Sequence, residues 1–106
     1  MKNIRLFKKA RKILVGGVNS PVRSFRSVGG IPVFMKKGKG AYLFGENGKR
    51  HLDFCLSWGA AILGHAPESV VQALKKTISC GTSFGAATAP EIELAERIRK
   101  GIPSME

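Results

Sequence analysis

The spacing of apolar residues changes along this 106-residue chain from a helical period to short runs broken by turn residues. Three such runs, over residues 32–36, 41–44 and 50–55, are predicted to be strands. The linker before the last run contains Asn47-Gly48, and both residue types tolerate the positive φ of a tight hairpin. The segment from residue 31 to 55 is therefore predicted to be a three-stranded antiparallel meander.

Helical spacing precedes and follows the meander. Residues 1–15 place apolar side chains at three- and four-residue intervals with Lys and Arg between them, which predicts a basic amphipathic helix that ends at Gly16-Gly17. Residues 67–79 begin with proline and end before Gly81, as a helix does. A further helix is predicted to begin at Thr88, whose capping-box partner is the glutamate three residues later.

The last two helices have apolar faces that no sheet in this chain would cover. A chain of 106 residues can support one small core, and helices of this kind need a second layer of structure to pack on. We therefore expect the chain to be a segment of a larger domain, whether as a natural short protein, a truncated gene product or a fragment.

Basic residues are concentrated in the first half of the chain. Residues 1–50 carry 13 Lys and Arg against one acidic residue, whereas residues 51–106 carry 5 against 6, and the net charge is +11. This asymmetry permits nucleic-acid binding, an acidic protein partner, or a missing acidic segment that would balance it. The sequence shows no helix-turn-helix, zinc-finger or ribonucleoprotein motif, so a nucleic-acid partner is disfavoured.

The cysteines and histidines do not form a recognisable metal motif. Cys55, Cys80, His51 and His65 lack the spacings of a zinc site, and we predict no metal. Without a secretory signal, the two cysteines are predicted to be reduced, buried thiols in a cytoplasmic protein. The longest weakly charged stretch, residues 54–67, is too short and too polar to span a membrane.

Polar and aromatic residues in the predicted loops are the candidates for binding. Arg23 has the side chain that grips a carboxylate bidentately, and Trp58 could present an aromatic face in a pocket. The alternative is a surface arginine and a core tryptophan, and residue type alone does not separate the two.

Four ordered blocks, which contain these same residues, closely resemble the amino-terminal part of the glutamate-1-semialdehyde 2,1-aminomutases, a family related to the class III aminotransferases. The likeness covers nearly the whole chain but only about the first quarter of the family's length. The blocks are Gly16-Gly-Val-Asn-Ser-Pro-Val-Arg23, Phe25-Arg-Ser-Val-Gly-Gly30, Ser57-Trp-Gly59 with Ile62-Leu-Gly-His65, and Gly81-Thr-Ser-Phe-Gly85 with Thr88 and Glu91.

The resemblance implies an α+β segment of the α/β fold of the pyridoxal-phosphate-dependent transferases, the aspartate-aminotransferase-like type I fold. Residues 1–55 would be the helix and meander of the small domain, and residues 56–106 the incomplete start of the large cofactor domain. It also implies a cytoplasmic, homodimeric isomerase that uses the pyridoxamine form of pyridoxal 5'-phosphate. That enzyme converts glutamate 1-semialdehyde to 5-aminolevulinate in tetrapyrrole (porphyrin) biosynthesis.

The resemblance also carries substrate-binding roles to four residues. Arg23 would hold the substrate carboxylate, Ser20 and Val22 would line the same pocket, and Trp58 would pack beside the substrate. The family's Schiff-base lysine, pyridine-pairing aspartate and phosphate loop lie beyond residue 106. No catalytic residue and no cofactor ligand is therefore assigned within the chain.

Three departures from the family pattern fall in loops: Ala60 and Ala87 stand where proline is usual, and Gly-His-Ala-Pro67 is one residue shorter than the family's motif. We expect the 106 residues alone to be inactive. The alternative to this function is a non-catalytic basic module that contacts nucleic acid or an acidic protein.

Overall fold

Three antiparallel strands form the only sheet within residues 2–105, the part of the chain that the computed structural model describes. Strand β1 is Met35–Lys39, β2 is Tyr42–Gly45 and β3 is Arg50–Leu52, and they lie in the order β1-β2-β3. The predicted meander is confirmed.

The first strand begins and ends about three residues later than predicted. Gly38, which lies in the turn between the first two predicted strands, keeps an extended backbone and pairs with Leu43 of β2. The chain instead reverses at Gly40, whose φ of 55° lies in the left-handed region that glycine enters without strain. A register shift between Met35 and Lys37 marks a bulge in β1.

The turn between β2 and β3 lies where Asn47-Gly48 predicts it. Gly48 has a φ of 81°, and its N–H donates to the Gly45 carbonyl at 3.0 Å. The Asn47 side-chain oxygen accepts the Lys49 N–H at 3.0 Å. Glycine and asparagine therefore contribute differently, because glycine supplies the conformation and asparagine an additional acceptor.

The three predicted helices are confirmed as elements: α1 at Lys2–Ala10, α2 at Glu68–Ile78 and α3 at Ala89–Gly101. In α3 the Glu91 carboxylate accepts the Thr88 backbone N–H at 2.5 Å, as the capping-box pattern predicts.

Helix α1 is shorter than its apolar spacing predicts. After Ala10 the chain leaves α1 through hydrogen bonds between residues three apart, such as that from the Ile13 N–H to the Ala10 carbonyl at 3.1 Å. It then turns back so that Gly17, with a φ of 76°, lies against the Phe7 ring. A Cβ at Gly17 would lie 2.7 Å from that ring, so this return path requires glycine.

Few side chains are buried in either of the two compact units into which the chain divides between Val71 and Gln72. The buried residues of the described chain are Ala10, Gly17, Ser24, Pro32 and Gly45, all in the first unit. The apolar side chains of α3 are exposed, as are Leu74 and Ile78 at the end of α2. The absence of a covering layer for the last two helices is confirmed within the described residues.

Both cysteines are free, as predicted, but the prediction that they are buried is wrong. Cys55 and Cys80 are exposed. No helix in the described part of the chain is long and apolar enough to cross a membrane.

We predict that Gly48→Ala lowers the free energy of unfolding by about 1–2 kcal/mol, because alanine is strained at a φ of 81°. The measurement is a urea titration of the 106-residue chain followed by far-ultraviolet circular dichroism, which reports the loss of its helices and strands. Gly101→Ala is the control, since Gly101 has open space at its Cβ position and no positive φ. An equal loss in both variants would contradict the assignment of the turn.

Candidate functional site

The segment from Ser20 to Ser24 gives Arg23 a fixed base. Ser20 is extended, with φ −146° and ψ 131°, as the proline after it demands. Pro21–Ser24 then forms a 3₁₀ turn, in which the Arg23 N–H donates to the Ser20 carbonyl at 3.0 Å. Ser24 is buried, and its hydroxyl donates to the Pro21 carbonyl at 2.6 Å. Val22 and Arg23 therefore project from a short, internally bonded turn.

The Arg23 guanidinium is exposed, and no carboxylate among the described residues pairs with it. An arginine that is not engaged in an ion pair can accept a carboxylate from a ligand in a bidentate manner.

A cleft of about 430 Å³ lies beside this segment and holds two arginines that sequence reasoning did not select. Arg11 and Arg26 line it, whereas Arg23 does not. The signal for Arg26 was present, since it belongs to the second of the four blocks. The lining residues are Phe7, Arg11, Gly16, Ser24, Phe25, Arg26, Gly29 and Gly30.

Trp58 lies in a turn of left-handed backbone. Leu56, Ser57 and Trp58 have φ angles of 48°, 52° and 62°, and Gly59 follows at 94°. For a residue with a Cβ, the left-handed helical conformation costs about 1–2 kcal/mol. Three such residues in succession are therefore strained, and such strain persists only where the surroundings enforce it.

The indole of Trp58 is 80% exposed, so the predicted alternative of a core tryptophan does not hold in this chain. Because the indole is so exposed, we expect the backbone of the turn to set its direction. The backbone N–H of Trp58 donates to the Cys55 carbonyl at 2.9 Å, and the backbone N–H of Ala61 donates to the Leu56 carbonyl at 3.0 Å.

Asp53 holds the entrance of this turn. Its Oδ1 accepts the Cys55 N–H at 2.8 Å and the Leu56 N–H at 3.2 Å. Its Oδ2 lies 2.6 Å from His65 Nε2. Because an ionised carboxylate can only accept, His65 donates from Nε2.

His65 is in turn fixed on the meander. Its backbone N–H and carbonyl both pair with Gly40, each at 2.8 Å. Its ring lies against Gly38, where a Cβ would come within 2.5 Å of His65 Cγ. Glycine at position 38 is thus what lets the imidazole lie against β1.

The pKa of Asp53 is held below its ordinary value of 3.8, first by the hydrogen bond from His65 and then by the bond from the Cys55 N–H. Desolvation acts in the opposite direction, and the hydrogen bonds outweigh it. Asp53 is therefore a carboxylate at neutral pH.

The structure places the four predicted substrate residues in two groups. Ser20, Val22 and Arg23 lie together on one turn, and Trp58 lies on the other. Within the described residues no hydrogen bond, ion pair or ring contact joins Arg23 to Trp58. Sequence reasoning did not select Asp53, and it considered His65 only as a metal ligand and as part of the third block. Residues 2–105 hold no group of three His, Cys, Asp or Glu that could bind a metal ion.

A family model described as aminotransferase class III matches residues 24–105. The chain belongs to the class III aminotransferases. The match includes the meander, the left-handed turn and the Asp53–His65 pair, whereas the Ser20–Arg23 segment precedes it.

The curated relatives are more specific. The chain is 52% identical over 105 residues to a glutamate-1-semialdehyde 2,1-aminomutase from Thermodesulfovibrio yellowstonii. The aligned region covers 99% of the chain and 25% of the relative. A relative of the same name from Neisseria meningitidis is 53% identical with the same coverage. The resemblance stated from the four blocks is confirmed, and the chain spans about a quarter of the length of these relatives.

Solved structures share the fold. An omega-transaminase from Sphaerobacter thermophilus superposes with a TM-score of 0.87 at 31% identity, over 98% of the chain and 23% of that protein. A glutamate-1-semialdehyde aminomutase from Pseudomonas aeruginosa, in complex with PMP, has a TM-score of 0.82 over 93% of the chain and 22% of that protein. Its identity of 19% supports the fold alone. The predicted fold class is confirmed.

We predict that Gly38→Ala displaces the His65 ring and lowers the free energy of unfolding by about 1–3 kcal/mol, because the new methyl group would overlap Cβ and Cγ of His65. Two-dimensional NMR of the chain would show shifts at His65 and Asp53. Gly101→Ala is again the control, and an undisturbed His65 in Gly38→Ala would contradict the packing described here.

We also predict a loss of stability in acid that depends on Asp53. Because its folded-state pKa is lowered, its contribution is fully present above the unfolded-state pKa of about 4, and is lost as the pH falls from there through the folded pKa. Urea midpoints measured between pH 6 and pH 2.5 should fall less in Asp53→Asn than in the parent.

The comparison is made in a Glu46→Gln background. The pKa of Glu46 is also lowered, chiefly by its hydrogen bond from Lys2, and it would add a similar dependence. An acid profile that Asp53→Asn leaves unchanged would show that the carboxylate does not contribute.

Proposed function

We propose that this chain forms the amino-terminal, substrate-binding part of a glutamate-1-semialdehyde 2,1-aminomutase, an isomerase that converts glutamate 1-semialdehyde to 5-aminolevulinate for tetrapyrrole biosynthesis. The similarity to aminomutases at about half identity over 105 residues supports this proposal most strongly. Nothing in these comparisons favours a basic module that binds nucleic acid or an acidic protein.

Arg23 is the proposed carboxylate-binding residue. Its guanidinium is unpaired within the described residues, it is always charged, and its backbone is bonded to Ser20. Ser20 and Val22 lie on the same turn and would line the pocket beside the carboxylate. The roles fit the residue types, because a fork of N–H donors holds a carboxylate in one orientation.

Trp58 is proposed to pack beside the substrate. An exposed indole on a rigid turn offers a large apolar surface with little conformational entropy to lose on binding. Once the substrate is bound, the indole would exclude water from the reacting carbons.

The residues of this chain do not by themselves make a site for pyridoxal phosphate. Asp53, the single aspartate, has only 6% of its side chain exposed and both oxygens engaged, so it cannot pair with a pyridine nitrogen. We therefore expect the cofactor, in its pyridoxamine form, to be held by the three quarters of the enzyme that the relatives have and this match does not cover. When bound, the cofactor supplies an exchangeable amino group and an electron sink.

The exposed apolar side chains of α2 and α3 suit burial against that larger part. In such an assembly, residues 1–55 would belong to the small domain and residues 56–106 to the large one. From the family resemblance we also propose that the complete enzyme is a cytoplasmic homodimer.

The test is a chimaeric aminomutase in which this chain replaces the matching quarter of the Thermodesulfovibrio yellowstonii enzyme. It should show pyridoxal phosphate absorbance and make 5-aminolevulinate. Arg23→Lys should lower kcat/KM by about tenfold to a hundredfold, mainly through KM, because lysine cannot form the bidentate contact.

Arg5→Lys is the matched control, since Arg5 is an exposed arginine of α1. It should leave both constants unchanged. A chimaera that loads cofactor and makes no product would contradict the proposed function. Equal effects of Arg23→Lys and Arg5→Lys would contradict the role of Arg23.

A further inference from the structure

The left-handed turn at Leu56–Gly59 needs support beyond its own backbone hydrogen bonds, because three consecutive residues with side chains are held there in a strained conformation. The Ala60 N–H reaches the Ser57 carbonyl only at 3.4 Å, and Ser57 and Trp58 are exposed. Among the described side chains, Asp53 is the one that hydrogen-bonds the backbone of the turn, where its Oδ1 accepts the Leu56 N–H at 3.2 Å. The support that we consider therefore lies at the entrance of the turn.

The Asp53–His65 pair is less exposed than the two ion pairs between lysine and glutamate in the described residues. Its side chains are 6% and 19% exposed, against 50% and 25% in Lys2–Glu46 and 64% and 68% in Lys39–Glu68. A shielded, short, charge-assisted hydrogen bond constrains geometry far more than a solvated surface pair does. One carboxylate oxygen faces the turn and the other faces the histidine, so a shift of either partner moves the other.

A continuous series of contacts leads from the sheet to the indole. Gly38 and Gly40 fix His65, His65 fixes the Asp53 carboxylate, and that carboxylate holds the N–H groups of Cys55 and Leu56 at the start of the turn. The turn carries the exposed side chain of Trp58.

We propose that Asp53 and His65 are positioning residues that hold the Leu56–Gly59 turn left-handed and thereby fix Trp58 for the substrate. This inference rests on the proposed function, since it concerns the orientation of a residue that would contact glutamate 1-semialdehyde. It predicts effects on substrate binding from two residues that touch neither substrate nor cofactor.

The first test uses the chimaeric aminomutase with its cofactor. Asp53→Ala and His65→Ala should each lower kcat/KM about tenfold, mainly by raising KM, with the cofactor absorbance unchanged. The double variant should be no worse than either single variant, because the two residues act as one unit. Asp53→Asn should retain most of the activity, since its amide can still accept from the turn and donate to the other tautomer of His65.

A suppressor separates positioning from general stability. Ser57 is exposed with a φ of 52°, a conformation that glycine adopts without strain. Ser57→Gly should therefore restore the KM of Asp53→Ala. Ser57→Ala, which removes the hydroxyl but keeps the strain, should not.

Glu46→Ala and His51→Ala are the matched controls for loss of a carboxylate and of a half-buried imidazole outside the series. They should leave KM unchanged. Additive losses in the double variant, or equal rescue by Ser57→Gly and Ser57→Ala, would overturn the proposal. The proposal would also be overturned if neither Asp53→Ala nor Asp53→Ala/Ser57→Gly loaded cofactor, because the pair would then have a structural role only.

The 106-residue chain provides a second readout that needs no activity and so separates this inference from the proposed function. Trp58 is its only tryptophan, and the near-ultraviolet circular dichroism of the indole reports the order of the turn. Asp53→Ala should lose this signal and Asp53→Asn should keep it. A signal that survives in Asp53→Ala would overturn the proposal even if the parent chimaera is active.

Discussion

The hydrogen bond between His65 and Asp53 joins the sheet to the loop that carries the exposed tryptophan. Each partner is fixed on its far side by backbone groups, Gly40 for the histidine and the Cys55 and Leu56 amides for the aspartate. In a chain with so few buried side chains, hydrogen bonds of this kind fix the positions of neighbouring segments, as apolar packing does in a larger core. Without the pair, only the backbone hydrogen bonds of the turn, such as that from the Ala61 N–H to the Leu56 carbonyl, would be left among the described residues to keep three consecutive residues with side chains in left-handed backbone.

The scarcity of buried side chains agrees with the finding that the chain matches only part of its relatives. The chain spans about a quarter of the length of its curated relatives. Under the proposed function, the exposed apolar side chains of α2 and α3 would be buried against the other three quarters of the enzyme, and Arg23 and Trp58 would face its substrate. The same proposal accounts for the concentration of basic residues in the first half without a nucleic acid, since one segment of an enzyme need not be balanced in charge by itself.

Element types were predictable because the local signals agreed with one another. Asn47-Gly48 marked a turn, and Thr88 with Glu91 marked the start of a helix, and both are where the sequence indicated. The boundaries of α1 and β1 were not predictable, because they depend on contacts between residues that are distant in the sequence. The ring of Phe7 needs the bare backbone of Gly17, and the ring of His65 needs that of Gly38.

The candidate site was predictable only in part, and for a similar reason. Arg23 and Trp58 have side chains whose chemistry suggests a ligand, so residue type and family resemblance led to them. Asp53 and His65 are separated by eleven residues with no motif spacing, and their pairing follows from the reversal of the chain at Gly40. Nor does any residue type predict consecutive left-handed backbone at Leu56, Ser57 and Trp58, because each of these residues avoids it.

Amide hydrogen exchange at Ala61 tests the central claim most directly. Its N–H closes the turn by donating to the Leu56 carbonyl at 3.0 Å, and it makes no contact with the Asp53 carboxylate itself. If the Asp53–His65 pair holds the turn, the Ala61 amide of the 106-residue chain should be protected, and it should exchange at least tenfold faster in His65→Ala. Equal protection of Ala61 in the parent chain and in His65→Ala would contradict the account.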